Sequence, residues 1–270
     1  MEHPSAILRR HGLAPKKSWG QNFLGDEDVL EAIAQTAALQ PNETCVELGA
    51  GLGHLTRALA ASGARIVAVE RDRDLAPVLR TELAPLENVT VVEADAARAN
   101  FEALAQTKRA VVVGNLPYQI GAPVLMNMLD QRAHVSRAVF LLQREVAERL
   151  AAGPGTKIYG APSALFQLLA DVDLALDVDR SCFTPPPHVD SAVLRIVFLE
   201  TPRAVVDFDR YRLVVNAAFG QRRKQLRSAL RARANDLGDT DGALSRAGID
   251  PTRRGETLSV EEFAKITNAL

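Results

Sequence analysis

The run Thr44-Cys45-Val46-Glu47-Leu48-Gly49-Ala50-Gly51-Leu52-Gly53 joins a short apolar stretch to three glycines at alternate positions. Such a stretch predicts a buried strand, and a helical pattern follows from His54 to about Ser62. A strand, a glycine turn and a helix in this order open the dinucleotide-binding fold. The nicotinamide fingerprint would place its third glycine at position 54, which is His54 here. The tighter spacing, preceded by the acidic Glu47, favours a ligand that lacks a pyrophosphate.

Two further predicted strands end in carboxylates. Ile66–Glu70 ends about twenty residues past Gly49, the usual spacing for an acid that binds ribose hydroxyls. Val89–Glu93 ends near Asp95, whose carboxylate suits an adenine amine. Either acid alone is equally well explained as a helix N-cap. Together they indicate a nucleoside ligand, and S-adenosylmethionine fits the pattern.

A fourth strand, Ala110–Val113, leads into Asn115-Leu116-Pro117-Tyr118. The Asn115 amide oxygen can accept a hydrogen bond. Pro117 lacks an N–H and favours an extended Leu116, which leaves the Leu116 carbonyl as a second acceptor. Two acceptors would localise the lone pair of an aromatic amine, and the Tyr118 ring could stack on the base. The simpler interpretation is a turn that ends a strand.

The second half of the sheet is predicted from alternation and from a stiff loop. Asp171, Asp173, Asp177 and Asp179 alternate with apolar residues, which predicts a half-buried strand that is antiparallel or at an edge. Phe183 precedes three prolines and either stacks on a flipped base or plugs the core.

Composition limits the class of protein. The 270 residues carry a net charge of −1, with two cysteines that make no disulfide framework. No apolar run reaches the length of a membrane span, and the start has no signal core, so we expect a cytoplasmic protein without a membrane partner. The scattered histidines form no recognisable triad or metal site, so we expect no metal.

Positive charge collects at the two ends of the chain. Residues 1–25 have four Lys/Arg against one Glu, and residues 1–17 are predicted to be irregular. The run from Phe219 to Ala234 carries six Lys/Arg and no acid, and its spacing predicts one amphipathic helix. Uncompensated cations favour phosphate contact, although an ordinary charged helix surface is the alternative. The predicted RNA-binding residues are Arg222, Arg223, Lys224, Arg227 and Arg231.

Taken together, these motifs resemble the ribosomal RNA adenine N6,N6-dimethyltransferase family, and most closely its bacterial small-subunit members. The resemblance covers nearly the whole chain, and its first and last motifs are far more specific than the glycine turn. The motifs are Lys17–Leu24, Glu47–Gly53, Gly114–Tyr118, Gln143–Ala147, Phe183–Pro187 and Phe219–Lys224.

The resemblance implies a fold and a set of site residues. It implies an α/β fold: a seven-stranded Rossmann-like methyltransferase sheet with one antiparallel strand, followed by a small all-helical C-terminal domain. We place the methyltransferase domain, with its basic N-terminal segment, at residues 1–201 and the helical RNA-binding domain at residues 202–270. By position, the S-adenosylmethionine-binding residues would be Asn22, Leu24, Gly49, Glu70, Asp95 and Asn115. The residues that hold and stack the target adenine would be Asn115, Leu116, Pro117, Tyr118 and Phe183.

The function that the resemblance implies is dimethylation of two adjacent adenosines near the 3′ end of 16S rRNA. The enzyme would act as a monomer on the immature 30S subunit and take part in ribosome biogenesis. Three alternatives stay open: a large-subunit dimethyltransferase that confers antibiotic resistance, an assembly or transcription factor without activity, and a nicotinamide oxidoreductase. Gln119 and Ala161-Pro162 depart from the usual family pattern but touch no residue with an assigned role.

Overall fold

The structure is a computed structural model that describes residues 1–117 and 119–270, with the side chain of Lys17 also left out of the description. The described chain forms two compact units. The first comprises Met1–Ala147 and Asp173–Phe198, and the second comprises Glu148–Val172 and Leu199–Leu270. The sequence placed a domain boundary at residue 201, and in the structure residues 148–172 group with the C-terminal helices. The described residues include no helix long and apolar enough to cross a membrane.

A seven-stranded sheet has the order β4-β3-β2-β5-β6-β9-β7, and β1 pairs with β8 in a separate two-stranded ribbon. β2, β3, β4, β5 and β6 pair in parallel, whereas β9 runs antiparallel to β6. The expected α/β sheet with an antiparallel strand is therefore confirmed. The strands are β1 Phe23–Leu24, β2 Thr44–Leu48, β3 Arg65–Glu70, β4 Val89–Glu93, β5 Ala110–Asn115, β6 Val135–Gln143, β7 Ala170–Val178, β8 Phe183–Thr184 and β9 Ser191–Phe198.

Helices connect these strands and make up the C-terminal part of the second unit, as expected. They are α1 Pro4–Arg10, α2 Glu27–Ala37, α3 His54–Ala60, α4 Leu75–Leu83, α5 Phe101–Ala105, α6 Gly121–Asp130, α7 Arg144–Ala151, α8 Ala161–Leu169, α9 Phe208–Gly220, α10 Leu226–Arg231, α11 Ala234–Leu237, α12 Thr240–Ala247 and α13 Val260–Ala269.

Burial explains why the sequence predicts the central strands well. β2 is buried at every position and β5 at every position but its last, because parallel strands are covered on both faces. β7 is the last strand in the sheet order, which confirms the edge position predicted from its alternating aspartates. Its apolar face is less complete than the alternation predicts, since the Leu174 side chain is 46% exposed.

The prediction of an irregular N-terminus is wrong, because residues 4–10 form α1. His3 caps the helix by accepting from the Ser5 N–H, and Pro4 occupies its first turn, where the missing N–H costs nothing. Ile7 and Leu8 pack on a cluster that includes Leu52. Seven residues are too few for a helix that is stable alone, so this tertiary contact stabilises α1.

The single helix predicted from Phe219 to Ala234 is also wrong. α9 ends at Gly220, an exposed turn follows over residues 221–225, and α10 begins at Leu226. The Leu226 N–H donates to the Arg253 carbonyl, 2.6 Å away, and the Arg227 N–H donates to the Pro251 carbonyl, 3.1 Å away. These bonds to another segment give the α10 amides partners that a continuous helix would have supplied from its own preceding turn.

Candidate active site

A cleft of about 260 Å³ opens at the carboxyl ends of β2, β3 and β5 in the first unit. Ligands bind at this edge in open α/β sheets. The structure brings most of the predicted site residues together there. Those that line the cleft are Asn22, Leu24, Gly49, Glu70, Asn115, Leu116, Pro117 and Phe183.

The glycine turn lets the backbone form the floor of the cleft. Gly49 and Gly51 have φ angles of 73° and 56°, which side chains other than glycine rarely adopt. A Cβ on Gly51 would lie 3.3 Å from the Phe23 ring. The Gly49 and Ala50 N–H groups both donate to the Val69 carbonyl, at 2.8 and 3.0 Å, which ties the turn to β3.

Glu70 joins this turn to the chain that follows β3. Its Oε2 accepts from the Gly51 N–H at 2.9 Å, and its Oε1 accepts from the Asp72 N–H at 2.8 Å. The side chain is buried, and burial raises the pKa of Glu70 although the two backbone N–H groups oppose it. Glu70 is therefore not the cap of the next helix. Each of its oxygens keeps a lone pair that can accept from a ligand hydroxyl.

Asp95 lies beside the cleft but does not line it, whereas its neighbours Ala94 and Ala96 do. Its Oδ1 accepts from the Ala97 N–H at 3.0 Å, which is the N-cap geometry that the sequence left open. Its Oδ2 lies 3.5 Å from Arg71 Nη1. The side chain is 37% exposed, so a ligand in the cleft could reach it from the rim.

Asn115 ends β5 with its amide aimed at the cleft. The Asn115 Nδ2 donates to the Asn22 carbonyl at 3.3 Å, and no described residue donates a hydrogen bond to Asn115 Oδ1. No described residue donates a hydrogen bond to the Leu116 carbonyl. The two acceptors predicted for a bound amine thus receive no hydrogen bond from any residue that the structure describes. The predicted stacking residue Tyr118 lies outside the described part of the chain.

Phe183 covers the cleft from the β1–β8 ribbon, where it is paired with Leu24. Its ring is 4% exposed and belongs to a core cluster with Leu24 and Leu30. The ring therefore does what the core interpretation predicted, and it also lines the cleft.

Glu47 is a cleft residue that the sequence analysis used only to judge the kind of ligand, with no contact assigned to it. It is 1% exposed, and its Oε2 has no hydrogen-bond partner among the described residues. Burial raises the pKa of Glu47 to about 8; the Thr56 hydroxyl opposes this shift, and the charge of Glu70 adds to it. The signal that could have identified it was a charged residue inside an otherwise apolar strand.

The segment before β1 closes one side of the cleft through contacts that no sequence pattern indicates. Lys16 Nζ lies 2.6 Å from Asp72 and 2.7 Å from Asp74, and the Gln21 amide donates to Asp72 at 2.8 Å. Burial raises the pKa of Asp72, but these donors and the Asp74 N–H together lower it below its usual value. Trp19 lines the cleft, with the Lys16 and Arg71 cations 5.0 and 4.8 Å from its ring.

The basic run of the second unit has counter-ions. The prediction that its cations are uncompensated is therefore wrong for several of its arginines. Arg222 pairs with Glu256 at 2.8 Å, and Arg227 and Arg231 both pair with Asp241, at 3.0 and 2.9 Å. The acids come from other segments, so a count within the run misses them. Arg223 and Lys224 are exposed, and no described side chain forms an ion pair with either.

Comparison with known proteins gives a consistent result. Residues 12–270 match the protein family described as "Ribosomal RNA adenine dimethylase". The chain is 52% identical over 274 residues to "Ribosomal RNA small subunit methyltransferase A" of Myxococcus xanthus, with 100% of this chain and 96% of that protein covered. A protein of the same name from Bacillus cytotoxicus is 41% identical, with 98% and 94% covered.

Two solved structures are also similar over most of the chain. The 23S rRNA methyltransferase ErmE has a TM-score of 0.73 and 27% identity, with 92% of this chain and 99% of that chain covered. A dimethyladenosine transferase from Plasmodium falciparum has a TM-score of 0.78 and 23% identity, with 90% and 95% covered, and supports the fold alone.

Proposed function

The chain belongs to the ribosomal RNA adenine dimethylase family, and we propose that it transfers methyl groups from S-adenosylmethionine to adenine N6 in 16S rRNA. The products would be two adjacent N6,N6-dimethyladenosines near the 3′ end of that RNA. The observation that carries this proposal is the shared cleft, where the Glu70 carboxylate and the Asn115 amide lie at the ends of β3 and β5, on either side of β2.

The donor half of the cleft fits S-adenosylmethionine by its chemistry. Gly49 leaves room for the donor against the backbone, and Glu70 offers lone pairs to two ribose hydroxyls. Asn22 and Leu24 would contact the donor from the N-terminal segment, and Asp95 would accept from its adenine amine at the rim. The donor carries positive charge on its sulfonium and its amine, which suits the Glu70 carboxylate that lines this cleft and the Asp95 carboxylate at its rim.

The acceptor half would hold the target amine in line with the methyl group. Asn115 Oδ1 and the Leu116 carbonyl would accept its two hydrogens, which favours a tetrahedral nitrogen with a localised lone pair. Pro117 keeps an N–H donor away from this position, and Phe183 and Tyr118 would stack the base. The N–C bond forms as the S–C bond breaks, and the amine proton then leaves to water or through Asn115. Proximity and alignment supply the rate enhancement, so no strong general base is required.

Recognition of the RNA would rest on the second unit. Arg223 and Lys224 are the cations of the predicted set that are exposed without a described counter-ion, so we assign phosphate contact to them first. Arg227 and Arg231 share Asp241 and would contribute less net charge. We propose that the protein acts as a monomer on the immature 30S subunit, in the cytoplasm where ribosomes assemble.

Methyl incorporation into unmethylated 30S subunits, with mapping of the product, tests the proposal. We expect label in two adjacent adenosines of 16S rRNA. Asn115→Ala should lower turnover at least about a hundredfold while leaving the donor Kd within a few fold. Asn42→Ala, an exposed residue in the turn before β2, is the matched control and should behave as wild type. Equal loss of turnover and donor affinity in Asn115→Ala would count against the acceptor role.

The same assay separates the alternatives. Label in 23S rRNA alone would indicate a large-subunit enzyme, for which the 27% identity to ErmE is weaker support than the 52% identity to small-subunit relatives. No label on any subunit, with the donor bound, would indicate an assembly factor. Competition between NAD and S-adenosylmethionine would test the oxidoreductase alternative, which His54 disfavours because its buried ring occupies the third glycine position.

A further inference from the structure

The Arg222 side chain is used inside the second unit. Its Nε donates to Glu256 Oε2 at 2.8 Å, and its Nη2 donates to the Lys157 carbonyl. One guanidinium therefore joins the turn at residues 221–225, the segment around Glu256 and the loop that contains Lys157. Arginine suits this task because its planar fork can donate in two directions at once.

The loop of residues 153–158 is held at the same place by other contacts. The Gly155 N–H donates to the Glu256 carbonyl at 2.8 Å. Tyr159, directly after the loop, is buried edge-on against Phe219 with ring centroids 5.6 Å apart. Gly255 lies so close to α9 that a Cβ there would come within 2.9 Å of Ala218. The anchors of the loop are thus fixed while residues 154–158 stay exposed.

Three cations are carried on the joined segments. Lys157 lies in the loop, and Arg223 and Lys224 lie in the turn next to Arg222. All three are exposed, and no described side chain forms an ion pair with any of them. Cations without a local counter-ion are the ones that release bound counter-ions from RNA when they meet a phosphate.

We propose that Lys157, Arg223 and Lys224 form one phosphate-binding surface and that Arg222 is a positioning residue that holds the Lys157 loop beside the turn. This assignment rests on the proposed function in one respect, that the partner is RNA. It separates two roles within a run of basic residues that the sequence alone makes equivalent.

Matched conservative variants test the positioning role. Arg222→Lys keeps the positive charge but cannot donate to both Glu256 and the Lys157 carbonyl. Arg223→Lys also keeps the positive charge, and a lysine there can still contact a phosphate. Binding to a structured 16S rRNA fragment, measured over a range of salt concentrations, should weaken about three- to tenfold for Arg222→Lys and stay within about twofold for Arg223→Lys. Lys157→Gln should lower the slope of log K against log salt by about 0.7 to 0.9.

A double variant and limited proteolysis distinguish a positioning role of Arg222 from a direct contribution of its charge. Arg222→Lys combined with Lys157→Gln should bind no more weakly than Lys157→Gln alone, because the loop charge is already lost. Trypsin should cut after Lys157 faster in Arg222→Lys than in wild type, since the loop is released. Glu256→Gln leaves every cation in place. We expect it to weaken RNA binding because it removes the ion pair between Arg222 and Glu256.

The assignment is overturned if Glu256→Gln binds RNA more tightly, or if Arg222→Lys matches Arg223→Lys in both affinity and trypsin cleavage. Failure of the proposed function would look different. It would appear as absent methyl transfer by the wild-type protein, while the RNA-binding comparison still stands because the phosphate contribution does not depend on the RNA sequence.

Discussion

Replacing Glu47 with glutamine tests whether the buried carboxyl of the cleft is uncharged in the folded protein. The Glu47 side chain is 1% exposed, and Oε2 lacks a hydrogen-bond partner among the described residues. Burial raises the pKa of Glu47 from 4.5 to about 8. Glutamine has nearly the same shape and cannot ionise, so it removes the titration and leaves the packing.

The direction of the effect follows from the raised pKa. The stability that Glu47 contributes is fully present below its unfolded pKa of 4.5 and is lost as the pH rises through about 8. Compared with a protein whose residue 47 does not titrate, wild type should have a free energy of unfolding that is lower by less than about 1 kcal/mol at about pH 5 and by about 3 kcal/mol at about pH 7. Well above about pH 8 the free energy of unfolding should be lower by between about 4 and 5 kcal/mol.

The assay is urea unfolding of wild type and Glu47→Gln across this pH range. We expect the difference in free energy of unfolding, variant minus wild type, to increase by about 2 to 3 kcal/mol between about pH 5 and about pH 7. The glutamine amide also lacks partners, at a cost of roughly 1 to 3 kcal/mol that does not change with pH. The readout is therefore the change with pH, not the difference at one pH.

Glu87→Gln is the control, because Glu87 is exposed on the loop before β4 and a surface substitution there should change the free energy of unfolding by less than about 0.5 kcal/mol. A flat difference for Glu47→Gln would refute the reasoning. It would show that Glu47 is ionised in the folded protein as readily as in the unfolded chain.

Three more predictions concern the cleft. Glu70→Gln leaves one backbone N–H facing an amide donor, so isothermal titration should show donor binding weaker by roughly ten- to a hundredfold, with Glu93→Gln on the neighbouring strand unchanged. Gly51→Ala adds a Cβ at positive φ that meets Phe23, and it should lower both the melting temperature and donor affinity. Gly63→Ala, at a φ of 78° away from the cleft, should destabilise by about 1 kcal/mol without changing donor affinity. Lys16→Met removes the contacts to Asp72 and Asp74, so limited proteolysis should cut within residues 16–25 faster than in wild type. Arg9→Met is the control, because the Arg9 cation has no described partner, and it should be cut more slowly than Lys16→Met. Equal cleavage of the two variants would mean that these ion pairs do not hold the segment.

The parts of the fold that the sequence predicts are those whose local pattern and tertiary role agree. Strands β2, β3 and β5 are buried on both faces, so their apolar runs and the turn residues after them are visible without a structure. The parts it misses depend on partners far along the chain. Helix α1 depends on Leu52, and the break before α10 depends on carbonyls of residues 251 and 253.

The candidate site divides in the same way. Glu70 and Asn115 are predictable because parallel strands deliver their last residues to one edge of the sheet. The Glu47 carboxyl, the Lys16 contacts and the counter-ions of Arg222, Arg227 and Arg231 are not, because each depends on which distant groups pack nearby.

The sequence by itself determined the order of the candidate site residues along the chain: a glycine turn, then a carboxylate at the end of the next strand, then an asparagine with a proline two residues later. Only the tertiary structure decided which charges are neutralised, which carboxyl is buried without a partner and where the basic run breaks. The physical reason is that periodicity and turn chemistry act over a few residues, whereas burial and ion pairing are set by residues that folding brings together from remote parts of the chain.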